Sequence, residues 1–243
     1  MNTTNQRVFL HNMYFYKRSF NFEVYTLLQA MINCNVNVLV NGVKGAAVND
    51  LLKSLFDAKN QSGSTLTIGT DLKHLYPKRD IKHMEKDDQI NEVDVSGVNT
   101  MLVNGVDQTN LRLFLKMCKD SQGIGSLEGN TLNYALDELV ELMDDKSSLE
   151  EIAAIDFVLT IESSKLVSMS EVILEEGELR LRPFAEYIGG NEYRFTNNVS
   201  AQKLIQMKKT NYEEAERFTQ SLSTYQNELP EHISSRNPYF QAQ

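Results

Sequence analysis

NVLVNGVKGAAVNDLLKSL, residues 37–55, reads as a strand, a glycine-bearing turn and an amphipathic helix in immediate succession. The run VNVLV at 36–40 has the length and β-branched content of a strand covered on both faces. Residues 41–45 (NGVKG) carry turn chemistry. Beyond them Val48, Leu51, Leu52, Leu55 and Phe56 fall on one helical stripe.

The same alternation continues outward. A helix is expected near 22–33, where Val24, Leu27, Leu28 and Met31 share a face. Strands are expected at 64–68 (STLTI) and 100–103 (TMLV), with an irregular stretch over 70–97 that allows a short strand around Ile81. A helix follows at 108–119 and a strand or strand-edge turn at 121–127. The clearest helix starts at Asn130 or Thr131 and places Leu132, Ala135, Leu136, Leu139, Val140 and Met143 on one face. A strand at 155–161 and a hairpin of 166–174 with 178–182 close the sheet, and helices at 200–207 and 210–225 precede a polar tail after Pro230 that is expected to be mobile. The fold class is therefore α/β, a mainly parallel sheet with helices on both faces, followed by a hairpin and helices.

A net charge of −9 argues against nucleic-acid binding through bulk electrostatics, which needs clustered Lys and Arg. The polar start of the chain has no signal-peptide core, and no apolar run approaches the ~20 residues needed to span a bilayer. A cytoplasmic protein that meets a membrane only through a partner is the expectation. Cys34 and Cys118 lie far apart in apolar helical contexts and read as small buried thiols.

Residues 37–55 also resemble the phosphate-binding loop of the secretion traffic ATPases, the hexameric motors of type II and type IV secretion and of tight-adherence pilus assembly. Their strand and loop read roughly NVLVSGGTGSGKTTLLNAL. Four further blocks follow in order: TLTIGTDLKHLYP (65–77) where that family has its acidic box, NTMLVNGVDQTNLRLFLKM (99–117) at its Walker B segment, GIGSLEGNTLNYALDELVEL (123–142) at its histidine box, and IAAIDFVLTI with VSMSEVI (152–161, 167–173) at its closing strands. The resemblance implies a RecA-like core over residues 21–185, after a lead-in of 1–20 and before an appendage of 186–243.

Against that family pattern the chemistry is missing. Gly42 and Gly45 remain, but the positions of Gly, Lys and Thr are Ala47, Val48 and Asn49. Valine in place of the lysine removes the cation that reaches the β- and γ-phosphates. The acidic-box carboxylates fall on Gly69 and Thr70, the Walker B glutamate on Gly105, and the histidine on Glu128. Only about 35 residues precede the first strand, too few for the N-terminal domain that closes the family's nucleotide site. The implied protein is a pseudo-ATPase with a degenerate, vacant site and no cofactor, a structural or regulatory partner of a true ATPase or of its membrane platform. A nucleotide sensor that binds ATP or another anion without turnover is the alternative. It would rely on Lys44, which could reach an anion at the following helix N-terminus but reads more simply as a solvated turn lysine.

Lys73, Lys78, Arg79, Lys82 and Lys86 form a basic segment in an otherwise acidic chain, a candidate face for an acidic partner or, as a homo-oligomer contact, for the acidic side of the 131–145 helix (Asp137, Glu138, Glu141, Asp144, Asp145). His74 and His83 have no further ligand at metal spacing. Gly123-Ile-Gly125 is too short to count as a phosphate loop.

Overall fold

Along the chain run α1 (Leu10–Phe15), α2 (Phe22–Ile32), β1 (Val38–Val43), α3 (Val48–Ala58), β2 (Ser64–Ile68), β3 (Ile81–Met84), β4 (Val98–Val103), α4 (Leu111–Asp120) and β5 (Gly123–Gly129). Then come α5 (Ala135–Leu142), α6 (Leu149–Ile152), β6 (Phe157–Glu162), β7 (Lys165–Glu175), β8 (Glu178–Gly189), β9 (Glu192–Phe195), α7 (Ala201–Thr210) and α8 (Tyr212–Asn227). The computed structural model describes residues 10–15, 17–43, 47–59, 63–86, 93–129, 135–143 and 149–227. Lys44, Gly45, the cap at Asn130 or Thr131, Asp144, Asp145 and the tail after Pro230 lie outside the described residues.

The strands form one sheet in the order β3-β2-β4-β5-β1-β6-β7-β8-β9. Neighbours from β3 to β6 pair in parallel, and β7, β8 and β9 add on antiparallel. Strand β1 lies between β5 and β6 and is covered on both faces, which is why its apolar residues run on without a polar alternation. Val38 and Val40 join one core with α1, α2, α3 and the C-terminal helices, while Leu39 joins the other with α4, α5 and α6.

Local signals seat the helices. Asn21 caps α2, its side chain accepting from Val24 N at 3.1 Å, and Ser200 caps α7, its hydroxyl accepting from Lys203 N at 3.2 Å. On the second face Gly125 exists for close approach, since a Cβ there would sit 2.8 Å from Phe114 Cζ. Gly123 and Gly125 thus belong to helix–sheet packing and not to a phosphate loop. Helix α8 lays Ala215, Phe218 and Leu222 into the core beside α2, and Phe157, Phe184 and Phe218 meet in tilted and edge-on contacts of 5.5–6.5 Å.

Several expected bounds move. Residues 41–43 belong to β1 and are not a turn, because β5 and β6 pair with Asn41 and Gly42 on either side. The lead-in contains α1, which packs on α3, and α6 and β9 are additional elements. Strand β8 runs on to Gly189, so residue 185 falls within it, and β9 continues the same sheet. Among the described residues no helix is long and apolar enough to cross a membrane.

Candidate functional site

In an open α/β sheet, ligands favour the crevice beyond the strand C-termini where successive connections leave in opposite directions. Here β1 departs through α3 toward β2, while its neighbour β5 departs through α5 and α6 toward β6. Connections also part at the neighbours β2 and β4, which run on to β3 and β5 on opposite sides; between β1 and β5 Gly42 and Glu128 are register partners. Two of the positions singled out from sequence are brought together there.

Among the described residues, the space beside Gly42 is filled. A Cβ on Gly42 would lie 2.6 Å from Val48 Cγ2 and 2.7 Å from the Ile161 carbonyl oxygen. The glycine thus admits a valine side chain and the neighbouring strand. Val48 is fully buried in the core that holds Leu51, Leu52 and Leu55. The Ala47 N–H, one of the groups an anion at this helix start would use, donates instead to the Ser163 carbonyl at 2.6 Å. Ser163 sits at the β6–β7 turn with a left-handed φ of 54°. Asn49 is half-buried, and its Oδ1 is enclosed without a hydrogen-bond donor. Asp50 in the first turn of α3 is ion-paired with Lys17.

Beside it, at the ends of β2 and β4, the positions matched to catalytic carboxylates are glycines in left-handed conformations, Gly69 at φ 68° and Gly105 at φ 83°. The Lys86 side chain lies across both: a Cβ on Gly69 would be 2.9 Å from Lys86 Cε, and one on Gly105 would collide with Lys86 Nζ. Around them a neutral network is complete. Gly105 N donates to Ser126 Oγ at 2.8 Å, Ser126 Oγ to Asn104 Oδ1 at 3.3 Å, Asn104 Nδ2 to Gly69 O at 3.3 Å and Asn110 Nδ2 to Gly105 O at 3.2 Å. Thr70 is buried and Glu128 exposed. Among the described residues no group of three His, Cys, Asp or Glu side chains is placed to hold a metal ion.

The basic segment divides. Lys73, Lys78 and Lys82 are exposed, Lys82 on edge strand β3, where a lysine discourages further strand pairing. They are interleaved with Asp71, Asp80 and Glu85. Arg79 turns inward, donating to the carbonyls of Phe56 (3.1 Å), Lys59 (3.4 Å) and Asp57 (3.5 Å) and lying 4.8 Å over the rings of both Phe56 and Tyr76. It closes the end of α3 and does not belong to an outward face. His74 faces Asp71 at 3.2 Å, whereas His83 sits between Thr67 (3.1 Å) and Glu85 (3.0 Å), so the two are engaged separately.

The opposite, N-terminal end of the sheet holds polar groups that sequence reasoning passed over. Asp156, 2% exposed, accepts from Asn37 N at 2.6 Å and pairs with Lys203. Burial raises the pKa of its carboxyl above the ordinary value, outweighing Lys203 and the Asn37 N–H. The Asn37 side chain donates to the Cys118 and Ala154 carbonyls at 2.7 and 2.8 Å and accepts from Gly123 N at 2.9 Å. Glu171 accepts from the Ser200 N–H at 2.8 Å and from its hydroxyl at 2.5 Å, fastening α7. Cys34 and Cys118 are both buried; burial, aided by Glu214, pushes the Cys34 thiol up to about 12. The one signal for this layer is a charged residue at the head of an apolar strand, Asp156 in IDFVLTI. No protein-family model matches the chain, and no curated protein is similar to it.

Proposed function

We propose that the chain is a catalytically inactive relative of the secretion and pilus-assembly ATPases, used as a structural or regulatory partner of an active motor or of the cytoplasmic side of its membrane platform. One strand, β5, separates the strand matched to the phosphate loop from the strand matched to Walker B, as a RecA-like core requires. That order supports a family reading based on five sequence blocks. The observation that carries the inactive reading is Val48 closing over Gly42 while Ser163 takes the Ala47 N–H. A fold can persist where its chemistry has decayed if an outer surface is what is used. The partner would be a protein, either the motor, the platform or another copy of this chain, and not nucleic acid or lipid.

The test is phosphate release from Mg-ATP by the purified chain, alone and mixed with a hexameric secretion ATPase. No turnover alone and an altered rate for the motor support the reading. Turnover that vanishes in Lys44→Ala would overturn it. A second reading, an anion sensor, is favoured by one observation: the Lys86 ammonium lies at the mouth without an ion pair to a described carboxylate. Binding of ATP that is lost in Lys86→Ala would select that reading.

A further inference from the structure

Lys59 follows the last turn of α3 and is 6% exposed. Its amine reaches under the sheet to Thr100 Oγ1 on β4 at 2.8 Å and to Gln122 Oε1 ahead of β5. Gln122 is itself held by the Val36 carbonyl, which accepts from Nε2 at 2.9 Å. The groups facing Lys59 are therefore neutral, apart from Arg79, whose guanidinium is anchored on the carbonyl of Lys59 itself. Lys59 makes no ion pair with a described carboxylate, and the next three residues, Asn60, Gln61 and Ser62, carry no charge.

A buried ammonium that has a second cation for a neighbour and no anion is costly to keep charged. Burial, with a smaller contribution from Arg79, lowers the Lys59 pKa to about 7. We infer that Lys59 is a proton-responsive lock between α3 and the β4–β5 pair, closed when its amine is neutral and loosened when it is charged. The neutral amine keeps two N–H donors for Thr100 and Gln122, so the closed state loses no hydrogen bond. Protonation adds a third proton and a charge beside Arg79, and the cheapest relief is for the Lys59 side chain to swing into solvent. That would unseat the end of α3 and expose the start of β4 and β5.

The linkage has a definite sign. The folded state holds Lys59 with a pKa below its unfolded value, so the unfolded chain binds more protons between the two. Stability due to Lys59 is lowest below pH 7 and rises as pH increases toward the unfolded value. Cys34, Cys118 and Tyr193, whose pKa values are raised by burial, oppose this trend at higher pH. The informative window is pH 7 to 8.5, read as the difference between wild type and Lys59→Met.

The experiment is a 13Cε NMR titration of Lys59 in the uniformly labelled full chain, assigned through bonds, alongside urea unfolding of both proteins. A midpoint near neutrality supports the lock, together with an unfolding constant that falls by up to about tenfold per pH unit in wild type relative to Lys59→Met. A Lys59 midpoint above pH 9.5, or identical pH dependence in the two proteins, overturns it. If the variant does not fold, the wild-type titration alone decides.

Discussion

The two ends of the parallel sheet divide the polar work in an unusual way. At the C-terminal mouth, where such sheets ordinarily keep ligands, Gly42, Gly69 and Gly105 are covered by Val48, a strand carbonyl and the stem of Lys86, and the surrounding amides satisfy one another. At the N-terminal base, where little chemistry is expected, Lys59, Asp156 and Glu171 are all at least nine-tenths buried. Buried titratable groups here join elements: Asp156 ties β6 to α7, and Lys59 ties α3 to β4 and β5. The mouth holds glycines and neutral amides, and the base holds the buried titratable groups.

Removing one side of the Asp156–Lys203 pair is the severest way to break that contrast. Asp156→Ala leaves Lys203 and the Asn37 N–H without their acceptor, and a loss of about 3–5 kcal/mol is expected in urea unfolding. The raised pKa of Asp156 does not soften this, because a pair that is costly to bury is costlier still when half of it remains. A loss below ~1 kcal/mol, the scale of an exposed pair, would mean that the base is wetter than described.

At the mouth, Gly42→Ala should cost about 1–3 kcal/mol through overpacking against Val48 and Ile161. Val48→Ala in the same chain should recover part of it, giving a measurable coupling between the two sites. Additive effects would place Val48 elsewhere than over Gly42. Gly105→Glu, which puts a carboxylate at the position matched to the Walker B glutamate, should destabilise by about 1–3 kcal/mol from its left-handed backbone and the displaced Lys86, and should gain no ATPase activity. Hydrolysis by this variant would show that the geometry, unlike the residues, had survived. Glu128→Gln, on an exposed side chain, should change stability by less than about 0.5 kcal/mol.

The sequence announced the mouth far better than the base. The β1–α3 unit was readable because VNVLV is a short β-branched run and the residues from Val48 to Phe56 recur at helical spacing. Residues 41–43 read as a turn from Asn-Gly chemistry, and long-range pairing with β5 and β6 overrode that local preference. The inward turn of Arg79 was hidden for a similar reason: in KHLYPKRDIKH it looks like one more surface cation, and only the end of α3 and the rings of Phe56 and Tyr76 explain its place. Lys59, in DAKNQSGS, has every local mark of an exposed helix end; its burial depends on Thr100 and Gln122, which lie 41 and 63 residues away. The way the space beside Gly42 is filled was only partly legible. Val48 lies on the apolar stripe of α3 that the sequence marks, but the roles of Ser163 and Lys86 come from segments with no periodic signal of their own.

The closed mouth is tested most directly by the thermal unfolding of the full chain with and without millimolar Mg-ATP. Ligand at 100 times its Kd stabilises a protein by about 2.7 kcal/mol, which for a chain of this size raises Tm by several degrees. With Val48 over Gly42 and Ser163 on the Ala47 N–H, the expected result is no shift beyond that of an equal ionic strength of salt. A saturable rise with Mg-ATP, abolished by Gly42→Val, would contradict the filled space beside Gly42 and with it the proposal of an inactive chain used only through its surface.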